Sequence, residues 1–309
     1  MIKQTGSVVY VSATLDGYYA LEVLLAHRKS IGLIVTLPRV KAKNVSDYAD
    51  FKPLSTRYRI PMKYVTDINA FADELKWLSP AAVIVNGWSQ LLAPNVIKIP
   101  AHGCVGTHPS LLPKNRGRAP IAWHFINEES KGGITLFYLD SGCDSGPIID
   151  QKSFTIGDKD NASSYYRKIT KLGASLLLSH FDDIARGSAK CKPQDGRKAT
   201  YLLKRRPKDS YLDFAKSARE LVNFVRAVSY IYPLAFFFYR RNIYTVLSGN
   251  LASSPKYSGM PGQIAAVFKK SIRVVTGDGV LELGGIGNLR GRAVEVKRVF
   301  CPGEILNEK

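Results

Sequence analysis

Short apolar runs rich in β-branched residues alternate with single helical periods through the first half of the chain, and that alternation narrows the fold more than any other feature. Val8–Val11, Ile31–Thr36 and Ala82–Val85 are uninterrupted apolar segments of strand length, the pattern of strands covered on both faces. A further strand is expected near Met62 to Val65. Helical periods fall between them, over residues 17–25, 52–58 and 68–78. Strand, helix, strand in this order predicts right-handed crossovers and a mostly parallel sheet. In such a sheet ligands gather at the carboxyl ends of the strands, so the loops after Val11, Val85 and Val105 are where a site is expected. Ile134–Leu139 and Ile148–Ile156 predict two more strands, and residues 163–185 a long helix.

The style changes near Lys204. One helix, Ser217 to Ser229, precedes short strands at 235–239, 244–247, 263–268, 272–276 and 280–284, with Gly277-Asp278-Gly279 as a hairpin turn. A chain of 309 residues suits two domains: an α/β domain over 1–190, a turn-rich linker over 191–204 and a small β domain over 205–309. Lys and Arg number 44 against 25 Asp and Glu, a net charge of +19, which favours a polyanionic partner without choosing one. Residues 204–309 carry 18 basic and 8 acidic side chains, a net +10. Cys104, Cys143, Cys191 and Cys301 lie far apart with no C-x-x-C pair, so they read as reduced thiols. No secretory leader or membrane-spanning run is evident, so a cytoplasmic protein is expected. Gly-rich dinucleotide and P-loop patterns are absent as well.

Two segments carry the chemistry. Residues 103–120, GCVGTHPSLLPKNRGRAP, form a dense loop around His108, and residues 139–147, LDSGCDSGP, leave a strand in a turn bearing Asp140 and Asp144. A carboxylate beside a histidine orients the ring and sustains its charged form, which suits acid–base work. On these residues alone, His108 as a core histidine and the two aspartates as turn formers stay open.

Together the segments resemble the formyltransferase family that uses 10-formyltetrahydrofolate, whose pattern is Asn-x-His, then Ser-Leu-Leu-Pro, then Asp-x-Gly well downstream. His108, Ser110-Leu111-Leu112-Pro113 and Asp144-Ser145-Gly146 match it. The resemblance implies a Rossmann-like, mostly parallel sheet with a C-terminal small β-barrel. It implies His108 and Asp144 as catalytic, with Gly106 standing where the family has Asn. A pterin site is implied at Trp88, Ser89, Gln90, Leu91, Leu92, Leu139, Asp140 and Asp144, and acceptor contacts at Ser110, Lys114, Arg116 and Arg118, with no metal. Residues 114–120 and 206–213 resemble the branch that formylates nucleotide-linked amino sugars, so that acceptor is the leading expectation. Methionyl-tRNA is the alternative, and a catalytically impaired nucleotide- or RNA-binding relative a third. A homodimer is left open. Losing one oxyanion donor typically costs about 10²- to 10³-fold in rate, so Gly106 demands a replacement: an ordered water, the amide of Asn115 or Asn86, or a nearby backbone N–H.

Overall fold

Five parallel strands carry the apolar runs: β1 (Val8–Val11), β2 (Ile31–Thr36), β3 (Met62–Tyr64), β4 (Ala82–Val85) and β5 (Cys104–His108). The computed structural model describes residues 6–230, 232–252 and 254–307. Helices α1 (Leu15–Ala26), α2 (Lys52–Tyr58), α3 (Ala72–Leu78) and α4 (Pro94–Ile97) join these strands. After a two-residue strand β6 (Arg116–Gly117) and helix α5 (Pro120–Ile126), strands β7 (Lys131–Tyr138) and β8 (Ile148–Thr155) extend the same sheet antiparallel. Its order is β3-β2-β1-β4-β5-β7-β8. The chain winds outward from β1 through β2 to β3 and returns to β4 on the other side of β1. A crevice therefore opens between the carboxyl ends of β1 and β4, beside that of β5.

Both sheet faces are covered, which is why the inner strands need no polar alternation. Val9, Val11, Leu33, Val35, Val83, Val85 and Cys104 face one core with Phe71, Leu75 and Val96. Tyr10, Ile34, Ile84 and Val105 are fully buried on the opposite face. Each such side chain contributes on the order of 1.5–3 kcal/mol of apolar burial. Helix α6 (Ala162–Arg186) follows β8, and then residues 191–203 run along the first compact unit. That stretch, expected as a linker, is held down: Ile148 and Lys192 exchange two backbone hydrogen bonds of 2.8 Å, and β9 (Tyr201–Leu202) pairs parallel with β6.

The second unit runs from Lys204 onward and also takes residues 121–130 and 157–164. Hydrogen bonds tie those segments to helix α7 (Ala218–Ala227). Asn223 Nδ2 donates to Glu128 Oε1 at 2.6 Å, and Arg226 Nε donates to the Asp160 carbonyl at 2.7 Å. Strands β10 (Ala235–Tyr239), β11 (Asn242–Val246), β12 (Ser248–Leu251), β13 (Ile264–Val267), β14 (Ser271–Val275), β15 (Val280–Gly284) and β16 (Gly287–Asn288) precede the short helix α8 (Val296–Val299). They form two antiparallel sheets, β10-β11-β16 and β12-β15-β14-β13. The expected barrel is not closed among the described residues. The chain changes sheet at Leu247, between β11 and β12, and β16 contributes only two pairs to its neighbour. Phe237, Tyr239, Tyr244 and Phe300 pack this unit's aromatic core, with Tyr239 and Phe300 ring centroids 4.9 Å apart.

Candidate active site

His108 ends β5 and is 5% exposed. Its Nε2 lies 2.7 Å from the Asn115 carbonyl, and its Nδ1 lies 3.5 Å from Asp144 Oδ2. Both ring nitrogens thus face acceptors. A neutral imidazole would leave one lone pair against an oxygen, whereas the imidazolium satisfies both. Asp144 Oδ2 also accepts the Gly117 N–H at 2.8 Å and faces the Cys143 thiol, Sγ to Oδ2 3.8 Å. The carboxylate is thereby fixed in direction before any ligand arrives.

Gly106 occupies the same face of β5 as His108. A Cβ there would lie 2.9 Å from Leu139 Cδ2, so the leucine side chain fills the direction an amide would take. Gly106 is flanked by β4 and β7, paired with Val85 and Phe137. Its backbone groups are therefore engaged in the sheet rather than turned to the site. Asn86 is committed to the opposite face: it accepts from Thr107 Oγ1 at 2.6 Å and donates to the Tyr10 hydroxyl at 3.3 Å. Asn115 does reach His108, through its backbone carbonyl, while its Oδ1 accepts from Thr200 Oγ1 at 3.3 Å.

The structure divides the basic cluster. Arg116 is 5% exposed, and its guanidinium is spent on Gln194 Oε1 at 3.2 and 2.7 Å and on the Tyr201 hydroxyl at 3.0 Å. The arginine expected to meet an acceptor phosphate is thus buried here and bonded to Gln194 and Tyr201. Ser110 is likewise buried and donates to the Lys114 carbonyl at 2.8 Å, fastening its own loop. Arg118 is exposed, with Nη1 2.6 Å from the Ser89 carbonyl, and Lys114 is exposed. Asp140 accepts from the Gly142 N–H and the Ser145 hydroxyl, at 3.0 and 2.7 Å, and so acts as a turn former.

In the loop after β4, Gln90 clips to Thr66 and Ile68 at 2.6 and 3.0 Å. Leu92 is buried, Leu91 is 73% exposed, and Trp88 packs on the same core cluster as Leu139. The Trp88 Nε1 is buried with no hydrogen-bond partner among the described residues, a donor whose cost is relieved only by a ligand or water. Gln194, Thr200 and Tyr201 escaped sequence reasoning. They are polar residues in a turn-rich stretch, and no spacing pattern links them to a histidine about 90 residues earlier.

Comparison with known proteins decides the family. Residues 41–180 match the formyl transferase model, and residues 204–301 match the model of the formyl transferase C-terminal domain. The chain is 33% identical over 300 residues to the methionyl-tRNA formyltransferase of Thermodesulfovibrio yellowstonii, covering 94% of this chain and 93% of that one. The chain belongs to the formyl transferase family. It is a one-carbon transfer enzyme of the class that takes its formyl group from 10-formyltetrahydrofolate. Among solved structures, the sugar 3N-formyl transferase WlaRD, crystallised with dTDP and 5-N-formyl-THF, superposes with a TM-score of 0.66 at 19% identity, over 92% of this chain and 97% of that one. An N-formyltransferase from Helicobacter canadensis, in complex with folinic acid and dTDP-3-aminofucose, gives 0.66 at 19% identity, over 93% and 100%. At that identity the likeness speaks for the fold. No helix among the described residues is long and apolar enough to cross a membrane.

Proposed function

We propose that this formyl transferase acts on the amine of methionyl-tRNA. The observation that carries the reading is the end-to-end sequence likeness to methionyl-tRNA formyltransferase, 94% of this chain against 93% of the relative. It favours the methionyl-tRNA alternative over the leading expectation of a nucleotide-linked amino sugar, which rested on resemblances at residues 114–120 and 206–213. The net +10 over residues 204–309 supports a nucleic-acid acceptor, since phosphate contacts supply much of such affinity.

The residues fit a pterin-bearing donor. Trp88 offers an unsatisfied N–H, and Leu139 offers apolar cover beside Gly106. When bound, 10-formyltetrahydrofolate supplies the formyl group, which exchanges its bond to the folate nitrogen for a bond to the acceptor amine. His108, set between the Asn115 carbonyl and Asp144, would turn an N–H now directed at one of these acceptors toward the oxygen that gains charge. Asp144 orients the ring and would accept the proton that the amine releases, which passes on to the departing folate nitrogen. With Leu139 over Gly106, the histidine bears the oxyanion without a neighbouring amide.

The amino-sugar reading keeps one specific support: the solved neighbours named above are sugar N-formyltransferases. The two are separated by incubating the purified protein and 10-formyltetrahydrofolate with charged initiator tRNA or with UDP- or dTDP-linked 4-amino sugars. Tetrahydrofolate release with tRNA and not with sugars is expected. Release with a sugar alone would overturn the tRNA reading, and folate binding without release to any amine would favour the impaired relative.

A further inference from the structure

We infer that Gln194 is a positioning residue that sets the separation of Asp144 from His108. The inference rests on reading those two as the reacting pair. Asp144 sits at φ +50°, a region that non-glycine residues rarely occupy, so the turn carrying it must be held from outside. Gln194 does this with both ends of its amide. Nε2 donates to the Asp144 carbonyl at 2.9 Å and to the Gly146 carbonyl at 2.7 Å, while Oε1 accepts Nε and Nη2 of Arg116.

Arg116 has no carboxylate within ion-pair distance among the described residues. Its remaining hydrogen bond goes to the Tyr201 hydroxyl, and its guanidinium lies 5.7 Å from that ring's centroid. A buried cation satisfied only by neutral groups tolerates little displacement, because each lost bond leaves charge unsolvated. Three consecutive residues then close the circuit. The Asn115 carbonyl meets His108, Arg116 meets Gln194, and the Gly117 N–H meets the Asp144 carboxylate. Gln194 thus fastens the backbone of the aspartate turn to the segment that touches the histidine. Shifting it moves Asp144 relative to His108 without touching either side chain.

The test is Gln194→Met, close in shape and unable to make these bonds. Turnover is read with the acceptor selected by the assay above, and 5-formyltetrahydrofolate affinity is read by calorimetry. A displaced reacting group costs up to about 100-fold, so kcat should fall about 10- to 100-fold while KM and folate affinity stay within about twofold. In a His108→Ala background the same substitution should cost nothing further, because the pair it positions is already gone. Parental kcat in Gln194→Met, or an undiminished loss in the His108→Ala background, overturns the inference. Gln194→Glu keeps an acceptor for Arg116 but loses both donations to the turn, so it should show the same kcat-selective loss; parental turnover there also overturns it. Arg116→Lys, which keeps the charge and loses the two-point bond, serves if Gln194→Met does not fold, with the same two outcomes. Parental turnover in His108→Ala would instead sink the assignment of the pair, whatever Gln194 does.

Discussion

Two groups of carboxylates sit on the carboxyl rim of one sheet, and their surroundings give them opposite characters. Asp144 faces a histidine, a backbone N–H and a thiol, all donors to the ionised carboxylate. Across the rim, Asp16 and Asp47 share the Tyr166 hydroxyl, at 3.2 and 2.6 Å, with Thr14 Oγ1 donating to Asp16 at 2.5 Å. Burial pushes both of these carboxyls above the ordinary value of 3.8, and the two charges repel when both ionise. The first arrangement directs donors at a carboxylate beside a histidine. The second ties the start of α1 to the loop after β2 and to α6, and among the described residues neither carboxyl has a basic side chain within ion-pair distance. What sets the two arrangements apart is the partner of each carboxylate, not its position.

The largest expected effect lies on the first arrangement. His108→Ala or Asp144→Asn should lower kcat by about 10³-fold, within the usual range for a lost acid–base group, whereas Asp16→Asn should change it less than about threefold. Equal losses at Asp16 and Asp144, measured as tetrahydrofolate release, would dissolve the contrast. Next comes Gly106. Gly106→Asn alone must displace Leu139 and should not raise the rate, but Gly106→Asn with Leu139→Ala should raise kcat by about tenfold or more, as a restored oxyanion donor would. A gain from the single substitution would show that Leu139 yields easily.

A smaller effect separates the two rims by pH. Because Asp16 and Asp47 have raised values in the folded chain, the folded form holds more protons than the unfolded one above the ordinary carboxylate value. Their contribution to stability is complete below that value and is lost as pH rises through the raised ones. Thermal melts should therefore lose a few degrees as pH rises above the ordinary carboxylate value, and Asp47→Asn should flatten that decline. A slope unchanged in Asp47→Asn would assign the decline to other groups. Smallest of all, Arg118→Ala removes an exposed contact to the Ser89 carbonyl and should raise the folate KM only about two- to threefold, in line with the modest worth of exposed charged contacts.

Much of this was written in the sequence, for physical reasons that differ by element. Apolar runs such as Ala82 to Val85 are strands because no polar alternation is needed where both faces are covered, and the turn glycines around Asp144 announced a loop. Asp140 and Asp144 share that turn and the same residue type, so only three-dimensional placement tells the turn former from the partner of His108. The surroundings of Arg116 were illegible because burial is a tertiary property: arginines at 116 and 118 have opposite exposures. Barrel closure was illegible because it depends on register between strands far apart, not on the presence of strands.

The pairing of β6 with β9 joins Arg116 to Tyr201 across 85 positions of chain. Synthesis proceeds from the N-terminus, and contacts of such separation form only after the intervening chain is present. A nascent chain that has released His108 and Asp144 but not Gln194 and Tyr201 therefore carries that pair without its fastening. The geometry of that pair is set only once the end of the first unit has been made.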